Sequence, residues 1–120
     1  MYKRQPQIAE RRFSVVKEFT EQYQVVCALK DSRTVVMKEG HHPFLNLAGN
    51  SAMAKAGSGD VLAGMIAGLS AGGISPTEAA RLGVYIHGLA GDRAKKRYGK
   101  AAITAGSLID EIGPIMSSYV

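Results

Sequence analysis

The chain is short, moderately apolar and basic, and these properties exclude several classes of protein. Its 120 residues suit one small domain, and a composition of 46% apolar and 21% charged residues is that of an ordinary globular protein. The single cysteine, Cys27, excludes a disulfide framework and a Cys/His zinc site. With no signal peptide and no apolar run of membrane-spanning length, the sequence predicts a cytoplasmic protein without a membrane partner.

The net charge of +5 suggests nucleic acid as a partner, but the distribution of the basic residues argues against it. The densest group, residues 93–97, falls near the end of a predicted helix, where cations suit the helix dipole. Aromatic residues that could stack on bases do not alternate with these cations. We therefore predict no nucleic-acid partner.

The amino terminus is unusual. Residues 1–5 resemble a translated transposon adapter from sequencing-library preparation, with a GTG codon read as the initiator Met. We therefore expect residues 1–5 to be non-native. Residues 6–120 are expected to be the carboxy-terminal part of one longer domain, truncated at its amino terminus.

The first half of the chain predicts one helix followed by three short strands. Residues 7–22 carry apolar side chains at roughly helical spacing. The continuous apolar run 25–30 predicts a strand buried on both faces, with Cys27 as an inert strand thiol. After a polar turn, residues 34–38 predict a second strand, and residues 44–47 predict a third. Helices that accompany strands in this way indicate an α/β protein.

A turn of small residues delivers one acid to the start of the next helix. Gly57 and Gly59 permit positive φ and a close approach of a ligand to the main chain. The first amides of the helix, with Ser58 in the turn, then form an anion-binding site. Asp60 does not suit a simple anion-binding site, because its carboxylate has little reason to lie beside a bound anion. An acid in this position suggests a base in phosphoryl chemistry. The structural alternative is that Ser58 and Asp60 only cap the helix.

The helix predicted over 60–70 is apolar nearly all round, so it needs packing partners on every side. A chain of this length barely supplies them. Gly64 and Gly68 lie four residues apart on one face, where they would permit a close approach to a sheet. Met65, like Met53, is interpreted as a core filler.

Two further helices complete the chain. Ser75 is a favourable N-cap, Glu78 would complete a capping box, and Gly99 is a plausible stop. The last helix is predicted over 105–112, with Pro114 limiting it.

Three segments in this order resemble the ADP-dependent NAD(P)H-hydrate dehydratases of the ribokinase-like superfamily: residues 29–34, 49–64 and 83–92. The similarity runs from about Val25 to Leu108, and one local departure is Ser51, where the family often has proline. The resemblance implies a ribokinase-like three-layer α/β/α fold, of which this chain is the carboxy-terminal half only.

The resemblance also implies a reaction. In this family ADP phosphorylates a hydroxyl of the hydrated nicotinamide ring, and loss of phosphate restores NADH or NADPH and leaves AMP. Asp60 would bind the NAD(P)H hydrate and act as the base, while Gly57, Ser58 and Gly59 would hold the transferred phosphoryl group. Mg²⁺ would neutralise the diphosphate, although the sequence has no dedicated cluster of carboxylate ligands. The nucleotide would bind Lys30, Asp31, Ser32, Arg33, Thr34 and Gly59.

Other polar residues are weaker candidates. Asn50 could bond the glycine turn or a ligand, and His87 is more often a packed histidine than a functional one. His41 and His42 occupy a predicted surface turn and are interpreted as solvated. Asp92 is expected to pair with a neighbouring cation, Arg93 or Lys96.

Two other functions stay open. A ribokinase-like vitamin-precursor kinase of the hydroxyethylthiazole or hydroxymethylpyrimidine type also uses a Gly-x-Gly-Asp base, but the extended 49–64 signature favours the dehydratase. A small basic nucleotide- or RNA-binding module ranks third, because it leaves the acid of the turn without a purpose. The full-length protein is expected to be a homo-oligomer, and the isolated 120-residue chain is expected to be inactive.

Overall fold

A small antiparallel sheet organises the first half of the chain. The computed structural model describes residues 5–30 and 33–118, with side chains from residue 13 onward. Within these ranges the sheet has the order β1-β2-β3, where β1 is Cys27–Leu29, β2 is Val35–Met37 and β3 is Phe44–Leu45. Both pairings are antiparallel. The three predicted strands are confirmed, although each is shorter than the run that predicted it.

Helix α1, Gln5–Tyr23, covers one face of the sheet and confirms the first predicted helix. Successive side chains of a strand point to opposite faces, so Val35 and Met37 share the face that α1 covers. Both are buried there against Val16 of the helix.

The opposite face of the sheet packs on two longer helices, α2 (Ser58–Ala71) and α3 (Pro76–Tyr98). Val36 of β2 is buried between them with Leu62 and Val84. Helices therefore lie on both faces of the sheet, which confirms the predicted α/β/α layering.

The expectation that β1 is buried on both faces is wrong, because all three of its residues are only partly buried. Within the described residues β1 pairs with β2 alone, so its other edge has no strand to cover it. Cys27 packs toward α1, and burial raises the pKa of its thiol. A raised pKa disfavours the thiolate, which agrees with an inert strand thiol.

Helix α2 begins two residues earlier than predicted. Gly57 has a φ of 89° and acts as the N-cap, so the chain has already turned into the helix at Ser58. Within α2, all of which is described, only Ser58 and Leu62 are buried. A side chain added at Gly64 or Gly68 would meet open space, so the expected close approach at these glycines is wrong.

Helix α3 begins and ends where predicted, although the predicted capping box between Ser75 and Glu78 does not form. The Ser75 hydroxyl accepts a hydrogen bond from the Glu78 N–H (3.4 Å), and Gly99 ends the helix with a φ of 81°. The Glu78 carboxylate pairs with Arg81 one turn along the helix (3.1 Å). No helix in the described part of the chain combines the length and apolar character that a bilayer crossing needs.

The last helix, α4, runs over Ala105–Ser117 and continues past Pro114, which the sequence analysis expected to limit it. Thr104 and Ser107 form a reciprocal capping box at its start. Beyond the proline, Ile115 is buried against α3. Because the apolar stripe continues through the proline, packing offsets the one backbone hydrogen bond that proline removes.

Candidate functional site

A cavity of about 630 Å³ lies where the end of β1, the loop after β3, the start of α2 and the middle of α3 meet. The predicted site residues that line it are Lys30, Thr34, Asn50, Ser58, Gly59 and His87. Residues 29–34, 49–64 and 83–92 are far apart in sequence, and the fold brings all three segments to this one cavity. Asp31 and Ser32 lie outside the described residues.

The ammonium group of Lys30 lies directly against Gly59. A Cβ atom built on Gly59 would collide with Lys30 Nζ, so a larger residue here would displace the lysine side chain from the helix N-terminus. Gly59 is in the first turn of α2, where backbone N–H groups have no partner within the helix. A lysine and a helix N-terminus that meet in one cavity form a site for an anion.

His87 connects α3 to the same turn. Its Nε2 lies 3.0 Å from the backbone carbonyl oxygen of Ser58 and 3.2 Å from the Ser58 hydroxyl. A carbonyl oxygen only accepts, so the proton is assigned to Nε2, which donates to it. Burial lowers the pKa of His87, the bond to Ser58 opposes this, and the nearby charge of Lys30 lowers the pKa further. The imidazole is therefore neutral at pH 7 and acts here as a structural donor.

Asn46, which the sequence analysis did not single out, anchors the loop that forms much of the cavity wall. It is buried, and its Nδ2 donates to the carbonyl oxygens of Val84 (3.2 Å) and Ala48 (3.1 Å). The Ala48 N–H donates in return to Asn46 Oδ1 (3.3 Å). The signal in the sequence was a lone amide inside the apolar run 44–47, since a buried polar group needs hydrogen-bond partners.

The sequence analysis expected Asp92 to pair with a neighbouring cation, and this expectation is wrong. Its carboxylate accepts hydrogen bonds from the Gly49 N–H (3.0 Å) and from Asn50 Nδ2 (2.9 Å). Arg93 instead pairs with the buried Glu111 of α4 (3.2 Å). The partners of Asp92 are more than forty residues distant in sequence, beyond the reach of local reasoning.

The Asp60 carboxylate is exposed in the first turn of α2. Among the described residues, no side chain or backbone group forms a hydrogen bond with it. Asp60 does not belong to the cavity wall, and neither do Gly57 and the exposed Arg33. The carboxylate is therefore open to solvent in the same helix turn as Gly59.

Known proteins with similar sequences identify the family of this chain. A bifunctional NAD(P)H-hydrate repair enzyme Nnr from Moorella thermoacetica is 45% identical over 103 residues, 86% of this chain and 19% of that protein. An ADP-dependent (S)-NAD(P)H-hydrate dehydratase from Neisseria meningitidis is 37% identical over 108 residues, 90% of this chain and 36% of that protein. This chain thus spans well under half the length of these curated relatives.

A solved structure matches as well. The ADP/ATP-dependent NAD(P)H-hydrate dehydratase from Bacillus subtilis, co-crystallised with ATP and Mg²⁺, superposes with a TM-score of 0.85 at 30% identity. The match covers 94% of this chain and 41% of that one, as expected for part of a ribokinase-like α/β domain. The family model described as NAD(P)H-hydrate dehydratase matches residues 1–114. The chain belongs to the NAD(P)H-hydrate dehydratase family.

Proposed function

We propose that this chain supplies the nucleotide- and phosphate-binding part of an ADP-dependent NAD(P)H-hydrate dehydratase. The observation that carries this is the contact between the Lys30 ammonium and Gly59 at the start of α2, inside the 630 Å³ cavity. Membership of the family supports the choice of substrate. We further propose that residues 6–120 are the carboxy-terminal part of a longer catalytic domain, since the chain covers 36% of the dehydratase from Neisseria meningitidis.

In the proposed reaction, the ring hydroxyl of the hydrate attacks the β-phosphorus of ADP and AMP departs. Asp60 accepts the hydroxyl proton, and its exposed carboxylate in the first turn of α2 suits that role. The phosphorylated ring then loses phosphate from one carbon and a proton from its neighbour, which restores NADH or NADPH.

The anion-binding groups stabilise the charge that moves during transfer. Gly57 shapes the turn, and the Ser58 N–H already donates to the Lys55 carbonyl oxygen (3.1 Å). The Gly59 N–H at the cavity wall therefore faces the phosphoryl group, and Lys30 holds the diphosphate as a point charge. Thr34 and its neighbours in the 30–34 segment bind the AMP portion. The neutral His87 keeps Ser58, and with it the first turn of α2, in place.

Mg²⁺ fits this site only as a partner of the nucleotide. Within the described ranges, no three His, Cys, Asp or Glu side chains gather into a group that could hold a metal ion. Mg²⁺ is commonly held by substrate phosphates, waters and one or two carboxylates, and Asp60 is an exposed carboxylate at the phosphate turn. When bound, the ion would neutralise charge on the diphosphate.

The test is turnover by the longer protein that contains this chain. With ADP and Mg²⁺ present, absorbance of the reduced nicotinamide should return as the hydrate is consumed. Lys30→Met should raise the KM for ADP about ten- to a hundredfold, the scale of one charge-assisted hydrogen bond. Lys38→Met, which removes an exposed lysine after β2, is the matched control and should change nothing. If ADP and ATP both fail while a thiazole or pyrimidine alcohol is phosphorylated, the protein is a vitamin-precursor kinase instead.

A further inference from the structure

One face of α3 holds the loop that forms much of the cavity wall. A Cβ atom built on Gly88 would lie 2.7 Å from the backbone carbonyl carbon and oxygen of Ala48. One built on Gly91, about one turn further along, would collide with the Met53 side chain. The two glycines therefore form a flat surface on which the loop over 48–53 rests directly against the helix.

Asp92 follows these glycines and holds the same loop through both of its carboxylate oxygens. One oxygen accepts from the Gly49 N–H, where the backbone has a φ of 106°, and the other accepts from Asn50 Nδ2. The remaining polar end of the Asn50 side chain is also used, because its Oδ1 accepts from the Ala52 N–H (3.0 Å). Two hydrogen bonds with defined donors thus orient the side chain of Asn50, which lines the cavity, and a third joins Gly49 to Asp92.

We propose that Asp92 is a positioning residue that sets the affinity of the cavity for the phosphoryl donor. It does so by holding Gly49 and Asn50 in the wall that the nucleotide contacts. Asp92 does not line the 630 Å³ cavity, so it acts through the loop. That the phosphoryl donor is ADP rests on the proposed function. The hydrogen bonds of Asp92 are independent of it.

The hydrogen-bond pattern offers a test by exchange of roles. Asp92→Asn sets an amide donor against the Asn50 amide, and Asn50→Asp sets two carboxylates against each other. With both substitutions together, the new amide at position 92 donates to the new carboxylate at position 50. Its carbonyl oxygen accepts from the Gly49 N–H, and the carboxylate still accepts from Ala52. All three hydrogen bonds are then restored, and only the bond between positions 50 and 92 has its donor and acceptor exchanged.

In the longer protein, each single substitution should raise the KM for ADP about tenfold, with kcat changed less than about threefold. The KM of the double variant should lie well below the product of the two single effects, which is the coupling expected of two groups in contact. Ser75→Ala weakens the cap at the far end of α3 and controls for a general loss of stability. It should lower the melting temperature and leave the KM unchanged.

Hydrogen exchange of the Gly49 amide, measured by NMR without nucleotide, reports the loop separately. Exchange should be faster in Asp92→Asn and slow again in the double variant. An unchanged KM in Asp92→Asn, or a double variant as impaired as the product of the two singles, would overturn the inference. If the wild-type protein uses a donor other than ADP, the proposed function fails. The KM series is then run with that donor, and together with the Gly49 exchange it still decides this inference.

Discussion

At the scale of single residues, the site depends on the different directions in which Gly59 and Asp60 face. Consecutive residues of a helix point about 100° apart. Gly59 therefore meets Lys30 in the cavity wall, while the Asp60 carboxylate is exposed to solvent. The phosphate proposed beside Lys30 and the base proposed at Asp60 would then lie on different sides of one helix turn, which would keep the two negative charges apart.

Asp60→Asn in the longer protein should lower turnover by about two to four orders of magnitude, the usual scale for loss of a general base. Binding of AMP, measured by calorimetry, should change little because the amides and Lys30 are untouched. Asp110→Asn, which changes an exposed acid of α4, is the matched control. Near-normal turnover in Asp60→Asn would show that Asp60 is not the base.

His87 should make stability depend on pH in the range where imidazole titrates. Burial lowers its pKa in the folded protein relative to about 6.5 in the unfolded chain, so the unfolded state takes up the proton first. The stabilisation is therefore complete above about pH 6.5 and is lost as the pH falls below that value. The free energy of unfolding of the longer protein, measured in urea at about pH 7.5 and about pH 5, should be lower at the acid pH.

Two histidine variants separate this effect from general acid sensitivity. His87→Gln keeps an N–H donor for the Ser58 carbonyl but cannot take up a proton, so the pH dependence should weaken. His42→Gln removes an exposed histidine and should keep the wild-type dependence. Equal slopes for all three proteins would show that His87 does not titrate with unfolding.

At the scale of elements, α2 and α3 use their glycines differently. The glycines of α3 lie where another part of the chain presses on the helix, as at Gly83, where an added Cβ would lie 2.7 Å from Ile66 Cγ1. The exposed Gly64 and Gly68 of α2 face open space. An added methyl group at Gly64 or Gly68 should therefore have the opposite effect to one on α3.

Gly88→Ala and Gly64→Ala form a matched pair that tests this difference. Both gain helix propensity, about 0.5–1 kcal/mol, and at Gly64 that gain should appear as added stability. At Gly88 the new methyl meets the backbone of Ala48, which should destabilise the protein by about 1–3 kcal/mol. The free energy of unfolding of the two variants of the longer protein, measured in urea, gives both effects. A Gly88→Ala variant as stable as Gly64→Ala would mean that the loop does not rest on α3.

At the scale of the whole molecule, apolar surface is the main feature of this 120-residue chain. Helix α2 is mostly apolar, yet it buries only two of its residues. Other large apolar side chains are exposed as well, among them Phe13 (46%), Phe19 (48%) and Leu47 (69%). Exposed apolar surface of this kind favours association.

We therefore expect the chain on its own to self-associate and to be inactive. Residues 6–120 should sediment as oligomers or aggregates, unfold over a broad temperature range and fail to turn over the hydrate with ADP. Phosphoryl transfer depends on positioning of the substrate, which the exposed Asp60 cannot provide alone. A soluble monomer with a sharp unfolding transition and measurable turnover would contradict both expectations.

What the sequence by itself determined are the features that depend on residues within about four positions of one another. The turn at Gly57, the Ser75 cap and the stop at Gly99 belong to this group, because their hydrogen bonds and φ angles are local. The motif segments were also enough to identify the family, which the comparisons confirm. The roles predicted for individual site residues remain predictions.

Only the tertiary structure decided the features that depend on distant partners. Asp92 binds Gly49 and Asn50 instead of its neighbour Arg93, because packing of the loop on α3 brings those donors within reach. Helix α4 continues through Pro114 because α3 buries the apolar residues beyond it. In each case a contact across the fold outweighs a local preference, which is about 3 kcal/mol for the proline and under about 1 kcal/mol for the exposed ion pair. Such a contact has no signature within a short stretch of sequence.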